Sequence, residues 1–154
     1  LTEDERKSIL ERLRVDDQQE VFFTSIRYDN KVIGERGSLT IEELRSYKVL
    51  LVTGIADPSP LLGHLTQNEI GFEHLKYTDH HQINRKELGR IESDLNELPG
   101  DKKIVLTTEK DFVRNFESTH LPVYYLPIQT EFLGGENRFN EIIQDYVRKN
   151  KGNR

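Results

Sequence analysis

The sequence predicts an α/β fold of three layers, with a mostly parallel, Rossmann-like sheet between two layers of helices. Strand-like and helix-like segments alternate along the chain, which is the pattern of repeated βα units. The segments 48–54 and 103–108 have continuous apolar centres, as expected of strands that are buried on both faces of a sheet. A length of 154 residues suits one domain, and we therefore expect a single domain over 1–154.

Signals for the start of a helix occur at several places along the chain. Thr2, Thr40 and Asn84 each stand three positions before a glutamate, which is the spacing of a capping box. Asp57-Pro58 predicts a further helix, with the aspartate as its cap and the proline at its first position. Apolar residues recur at helical spacing over 139–147, and this pattern predicts an amphipathic helix at the end of the chain.

The remaining strands are predicted from β-forming composition and from alternation. Residues 21–28 are rich in β-formers, and 31–34 follow a turn as a hairpin partner or an extension of that strand. Residues 71–77 alternate between apolar and polar with one slip, which suits a short strand. A last strand is predicted over 123–128, and Pro127 within it predicts a position at the sheet edge, because proline cannot donate a ladder hydrogen bond.

Composition excludes several functional classes. The chain has no cysteine, so disulfides, thiolate catalysis and cysteine metal sites are excluded and a cytosolic setting is indicated. The net charge is −5, which disfavours a nucleic-acid surface. No apolar run approaches the ~18 residues that a transmembrane helix needs. The chain begins at Leu1 and contains no methionine, so we expect a soluble piece of a longer protein.

The first candidate site is the stretch 77–84, where a predicted strand gives way to a predicted helix. Asp79, His80 and His81 lie there, at the kind of strand end where α/β proteins keep their chemistry. Adjacent histidines that leave a strand point apart, so we predict no metal site. Two other interpretations stay open: solvated loop histidines, and acid–base or orienting work near neutral pH, which suits imidazole with its ordinary pKa of ~6.5.

The second candidate is the junction of a predicted strand and helix at Thr108, Glu109, Lys110 and Asp111. The N-terminus of a helix attracts anions, and Lys110 adds a positive charge, so these four residues are candidates for substrate binding. Acidic residues in a first turn are equally typical of a capped surface helix, and both interpretations stay open. The turn at Gly54 holds one glycine, and neither a dinucleotide nor a P-loop motif occurs in the chain.

Four segments together resemble the C-terminal half of a known family, tetraacyldisaccharide 4′-kinase, which is the lipid A kinase. Their order and spacing make the resemblance specific, although each segment alone is weak. In that family a P-loop kinase domain is joined to a second α/β domain through a two-stranded linker, and residues 21–35 resemble that β-ribbon linker. The four segments are 51–58 (LVTGIADP), 77–81 (YTDHH), 107–111 (TTEKD) and 124–127 (YYLP).

The resemblance implies transfer of a phosphoryl group from Mg-ATP to the 4′-hydroxyl of a tetraacylated disaccharide 1-phosphate, at the cytoplasmic face of the bacterial inner membrane. It implies that ATP, Mg and the catalytic aspartate belong to an N-terminal P-loop domain outside this chain, so that this chain alone is inactive. It also implies that His80, preceded by Asp79, pairs with that aspartate across the cleft. A different class stays open: a noncatalytic α/β module whose Asp-His turn contacts a partner or a carbohydrate.

Overall fold

The computed structural model describes residues 1–16, 18–117 and 119–150. It divides into two compact units, one formed by residues 28–129 and the other by residues 1–27 with the end of the chain from Thr130. The helices are α1 (Glu3–Leu13), α2 (Ile41–Leu44), α3 (Ser59–Gln67), α4 (Arg85–Glu97), α5 (Glu109–Asn115) and α6 (Glu136–Asn150). The strands are β1 (Thr24–Tyr28), β2 (Lys31–Gly34), β3 (Gly37–Thr40), β4 (Lys48–Thr53), β5 (Phe72–Lys76), β6 (Lys103–Thr108), β7 (Val123–Leu126) and β8 (Ile128–Phe132).

The larger unit is built on a six-stranded sheet with the order β3-β2-β7-β6-β4-β5. Neighbouring strands from β7 to β5 run parallel, whereas β2 pairs antiparallel with both β7 and β3. The predicted central strand is confirmed, since β4 lies between β6 and β5 and five of its six residues are buried. The sheet is therefore mixed and mostly parallel, as the sequence predicts.

Helices cover both faces of this sheet. On one face, Leu61 and Leu65 of α3 and two residues of α2 join a buried cluster with alternate residues of β4 and β6. On the other face, Ile91 and Leu95 of α4 pack with Phe116 and the remaining apolar residues of those strands. Because consecutive side chains of a strand point to opposite faces, a continuous apolar strand supplies both clusters. The predicted three-layer architecture is confirmed.

The smaller unit contains α1, most of β1 and β8, and α6. Phe22, Phe132 and Phe139 form an aromatic cluster with ring centroids 5.0–6.4 Å apart. Gly135 has a φ of +77°, and a Cβ atom there would lie 3.2 Å from the Phe22 ring, so both the turn and the packing require glycine. Arg6 of α1 donates to the carbonyl of Leu133 at 3.2 Å. The residues of α1 and α6 are all at least partly exposed within the described structure.

Capping explains where several helices begin. Thr2, Thr40 and Asn84 each form the predicted capping box, with reciprocal bonds between the cap and a glutamate three residues on. The helix predicted to begin at Pro58 begins one residue later, at Ser59, with Pro58 in the cap position. Asp57 still accepts a hydrogen bond from the Ser59 N–H at 2.9 Å.

Two sequence predictions about strands were wrong in detail. β7 lies inside the sheet between β6 and β2, because the strand ends at Leu126 and Pro127 falls between β7 and β8, where no ladder bond is required. The predicted hairpin partner β2 pairs with β3, a strand that the sequence did not predict, rather than with β1. The partner of β1 is β8, so the two strands of the short ribbon come from distant parts of the chain.

Candidate functional site

The parallel strands β4, β5 and β6 end at the same edge of the sheet, and the candidate residues lie at this edge. β4 ends at Thr53, β5 at Lys76 and β6 at Thr108, and the register pairs Thr53 with Lys76. Ligands of open α/β sheets bind outside the carboxyl ends of the strands. The two stretches singled out from the sequence, after β5 and after β6, are therefore neighbours in space.

The turn after β5 is fixed by backbone bonds to the end of β4. Tyr77 donates its N–H to the Thr53 carbonyl at 2.8 Å, and His80 donates its N–H to the Gly54 carbonyl at 3.2 Å. The same His80 N–H lies 3.0 Å from Oδ1 of Asp79. His80 has a φ of +61°, which is uncommon for a residue with a side chain and is frequent at functional sites.

The imidazole of His80 projects into solvent between an acid and a base. Its side chain is 70% exposed, and Nε2 lies 3.5 Å from Oδ2 of Asp79. Nδ1 lies 3.3 Å from Nη2, a guanidinium nitrogen of Arg114. His80 is thus accessible to a partner at the strand edge while both ring nitrogens face charged groups of the chain.

Lys110 joins the two candidate stretches. Its ammonium donates to Oδ1 of Asp79 at 3.1 Å, across the gap between the turn after β5 and the first turn of α5. This hydrogen bond, with the nearby His80, lowers the pKa of Asp79 below its ordinary value, so Asp79 is ionised at neutral pH. Asp79, His80 and Lys110 form the exposed part of the site.

His81 differs from His80 in every contact. Its ring stacks on Tyr77 with centroids 4.8 Å apart, and Nε2 lies 3.0 Å from Oε1 of Glu87. The backbone carbonyl of His81 accepts from Asn115 at 3.4 Å. Its side chain is 29% exposed, so His81 packs inward where His80 points out. In the part of the chain that the structure describes, no group of three or more His, Asp or Glu residues is placed to hold a metal ion.

Asp111 closes the corner behind the exposed residues. It is 1% exposed, and its Oδ2 accepts from the Gly54 N–H at 2.8 Å and from the Thr108 hydroxyl at 2.9 Å. Thr108 also caps α5, because its Oγ1 accepts from the Asp111 N–H at 3.1 Å. A Cβ atom on Gly54 would lie 3.1 Å from Oδ1 of Asp111, so the corner requires a glycine. The carboxylate thereby ties the ends of β4 and β6 together.

The four residues predicted to bind substrate therefore separate into two pairs. Glu109 and Lys110 are exposed, whereas Thr108 and Asp111 bond to each other, and Asp111 also accepts from the Gly54 N–H. A binding role for these residues stays a prediction. Arg114, which touches both Asp111 and His80, was missed, although its position three residues after Asp111 on a predicted helix was a signal for that pair.

Comparison with known proteins identifies the family. A family model described as tetraacyldisaccharide-1-P 4′-kinase matches residues 2–148. The chain belongs to this family. It is 38% identical over 136 residues to the tetraacyldisaccharide 4′-kinase of Flavobacterium psychrophilum, covering 87% of this chain and 37% of the relative. It is 34% identical over 151 residues to that of Flavobacterium johnsoniae, covering 97% and 42%. The chain thus spans about two fifths of the length of these curated relatives.

A solved structure of the kinase family shares the fold. The crystal structure of the "apo" form of LpxK from Aquifex aeolicus in complex with ATP superposes with a TM-score of 0.52 and 16% identity, covering 84% of this chain and 38% of that one. The resemblance that the four motifs suggested is confirmed by the family match. None of the described helices is long and apolar enough to cross a membrane.

Proposed function

We propose that this chain is part of a lipid A kinase that transfers the γ-phosphate of ATP to the 4′-hydroxyl of a tetraacyldisaccharide 1-phosphate, and that the edge carrying His80 forms one wall of its active cleft. Membership of a kinase family supports the reaction. The observation that carries the assignment of the wall is His80 itself, whose backbone is fixed to Gly54 while its side chain is 70% exposed.

The residues of this chain do not suit the nucleotide. The glycine turn after β4 could offer a phosphate the N–H of Gly54, but that N–H already donates to the buried carboxylate of Asp111. No P-loop motif occurs in the sequence. A negative charge fixed at that corner repels a phosphate. We therefore assign ATP and Mg to a P-loop domain of the same protein outside this chain, which leaves this chain inactive alone. The relative from Aquifex aeolicus, which is in complex with ATP, supports ATP as the donor.

His80 acts in this proposal on the acceptor side of the reaction. A sugar hydroxyl is a poor nucleophile and gains from a carboxylate that takes its proton as the new P–O bond forms and the bond to ADP breaks. That carboxylate is the aspartate of the P-loop domain, and His80 orients it across the cleft by donating a hydrogen bond. Asp79, held ionised by Lys110, lies 3.5 Å from Nε2 of the imidazole and supports the ring from beside that nitrogen.

The exposed residues around His80 complete the wall. Lys110 and Glu109, at the start of α5, face the cleft and contact the substrate or the opposing domain, while Thr108 and Asp111 hold that first turn in place. A substrate with acyl chains places the whole enzyme at the cytoplasmic face of the inner membrane, where such a lipid is available.

Substitution of each histidine in the full-length enzyme tests the proposal. His80→Ala is expected to lower turnover by at least about tenfold, within the range for acid–base assistance, and to leave the melting temperature nearly unchanged because the side chain is exposed. His81→Ala is the matched control: it removes a ring stack and a bond to Glu87, so it is expected to lower the melting temperature more than turnover.

Two results would contradict the assignment. Turnover that survives both substitutions would remove the histidines from the reaction. Turnover that is more sensitive to His81 than to His80 would mean that the wrong histidine has been assigned to the cleft.

A further inference from the structure

Two buried polar atoms behind His80 face each other, and neither has a hydrogen-bond partner among the described residues. They are Oδ1 of Asp111 and Nη1 of Arg114, and they lie 3.7 Å apart. The side chain of Asp111 is 2% exposed and that of Arg114 is 22% exposed. The separation is too long for a hydrogen bond but short enough for a direct charge–charge attraction. The guanidinium is thus anchored by charge at its inner end.

The outer end of the same guanidinium meets the imidazole of His80. Nη2 of Arg114 lies 3.3 Å from Nδ1 of His80. A guanidinium can only donate and does not lose its charge in proteins, so Nδ1 must be the acceptor in this contact. A neutral imidazole that accepts at Nδ1 carries its proton on Nε2. That nitrogen lies 3.5 Å from Oδ2 of Asp79 and belongs to the exposed side chain.

We propose that Arg114 is a positioning residue for His80, which holds the imidazole with Nδ1 as acceptor and Nε2–H as the donor available to the cleft. This inference rests on the proposed function and deepens it, because it names the nitrogen that acts. Asp111 serves in turn as the anchor of Arg114. Asp111 is also linked to His80 through Gly54, since the Gly54 N–H donates to Asp111 and the Gly54 carbonyl accepts from the His80 N–H.

A double-mutant cycle in the full-length enzyme separates positioning from general support. Arg114→Leu is expected to lower kcat about threefold to tenfold with little change in KM, because the substrate still binds while the imidazole is misaligned. Combined with His80→Ala, it is expected to add no further loss, since Arg114 acts only through that histidine. Arg114→Lys, which keeps the charge but not the planar fork, is expected to restore part of kcat. Arg90→Leu, which removes an exposed helix ion pair with Asp94, is the control.

Imidazole nitrogen NMR gives a readout that does not depend on activity. With 15N-labelled histidine at about pH 8.5, above the ordinary imidazole pKa of ~6.5, His80 of the unmodified enzyme is expected to carry its proton on Nε2. Its Nδ1 resonance is expected to move in Arg114→Leu and to stay in place in Arg90→Leu.

Three results would overturn the inference: a proton on Nδ1 of His80, an Nδ1 resonance that ignores Arg114→Leu, or losses of kcat that multiply in the double mutant. The last result, with a lowered melting temperature, would make Arg114 a structural residue only. If the proposed function is wrong, His80→Ala keeps its turnover. In that case the nitrogen resonances still decide whether Arg114 fixes which nitrogen of the His80 imidazole carries the proton.

Discussion

Replacement of Asp111 by alanine would remove the group on which the site is built. Its carboxylate accepts hydrogen bonds from the Gly54 N–H and the Thr108 hydroxyl in a nearly fully buried place. Hydrogen bonds to a charged group contribute about 1.5–3 kcal/mol each, and loss of one partner of a buried charged pair costs about 3–5 kcal/mol. We therefore expect Asp111→Ala to lower the free energy of unfolding by about 3–5 kcal/mol, or the melting temperature by roughly 6–20 °C.

Urea unfolding of the 154-residue chain, followed by circular dichroism, measures this loss. Asp145→Ala is a closely matched control, because Asp145 also pairs with an arginine three residues on, at 3.6 Å, but is 59% exposed; we expect a change below about 0.5 kcal/mol there. Asp111→Asn keeps an acceptor for the Gly54 N–H and is expected to cost less than alanine. A loss under about 1 kcal/mol in Asp111→Ala would show that this carboxylate does not tie β4 to β6.

Three further changes test neighbouring features. Gly54→Ala places a Cβ atom 3.1 Å from Oδ1 of Asp111 and is expected to destabilise the chain by about 1–3 kcal/mol; an unchanged urea midpoint would show that the corner can relax. Lys110→Ala is expected to raise KM or lower kcat of the full-length enzyme without unfolding it, whereas unchanged kinetics would leave α5 with a structural role only. The bond from the Asn84 N–H, with one from His81, lowers the pKa of Glu87, so its contribution to stability is present above pH 4.5 and is lost as the pH falls further. Glu87→Gln is expected to be less stable than the unmodified chain at pH 7, and the difference is expected to shrink as the pH falls below 4.5 in urea titrations; a constant difference would contradict this.

Features set by neighbours in sequence were predictable. The capping boxes at Thr2, Thr40 and Asn84 depend on residues three positions apart, and the central place of β4 follows from its unbroken apolar character. The pairing of β1 with β8 was not predictable, because it joins segments that are about 100 residues apart and both are mostly exposed. The prediction from Pro127 was wrong because the proline lies just after the end of β7. It marks where the strand stops and does not indicate that the strand is at the sheet edge.

The sequence allowed the prediction that the candidate residues lie at the carboxyl ends of neighbouring strands, but not which of them face solvent. Two adjacent histidines after a strand gave no sign of which would point outward, since that depends on the left-handed backbone of His80 and on the Tyr77 ring that receives His81. Asp111 has the sequence context of a surface helix residue, and only the approach of Gly54 from another strand makes it buried. Local patterns identify the residues of a corner, whereas tertiary contacts decide which of them face solvent.

We place the nucleotide on a domain outside this chain and the acceptor-side histidine within it. Titration of Mg-ATP into the isolated chain by calorimetry tests this division. The chain is expected to show no saturable heat, since the Gly54 N–H is occupied by Asp111 and no phosphate loop is present. The full-length enzyme, titrated in parallel, is expected to bind. Saturable micromolar binding to the isolated chain would contradict the division of the cleft proposed here.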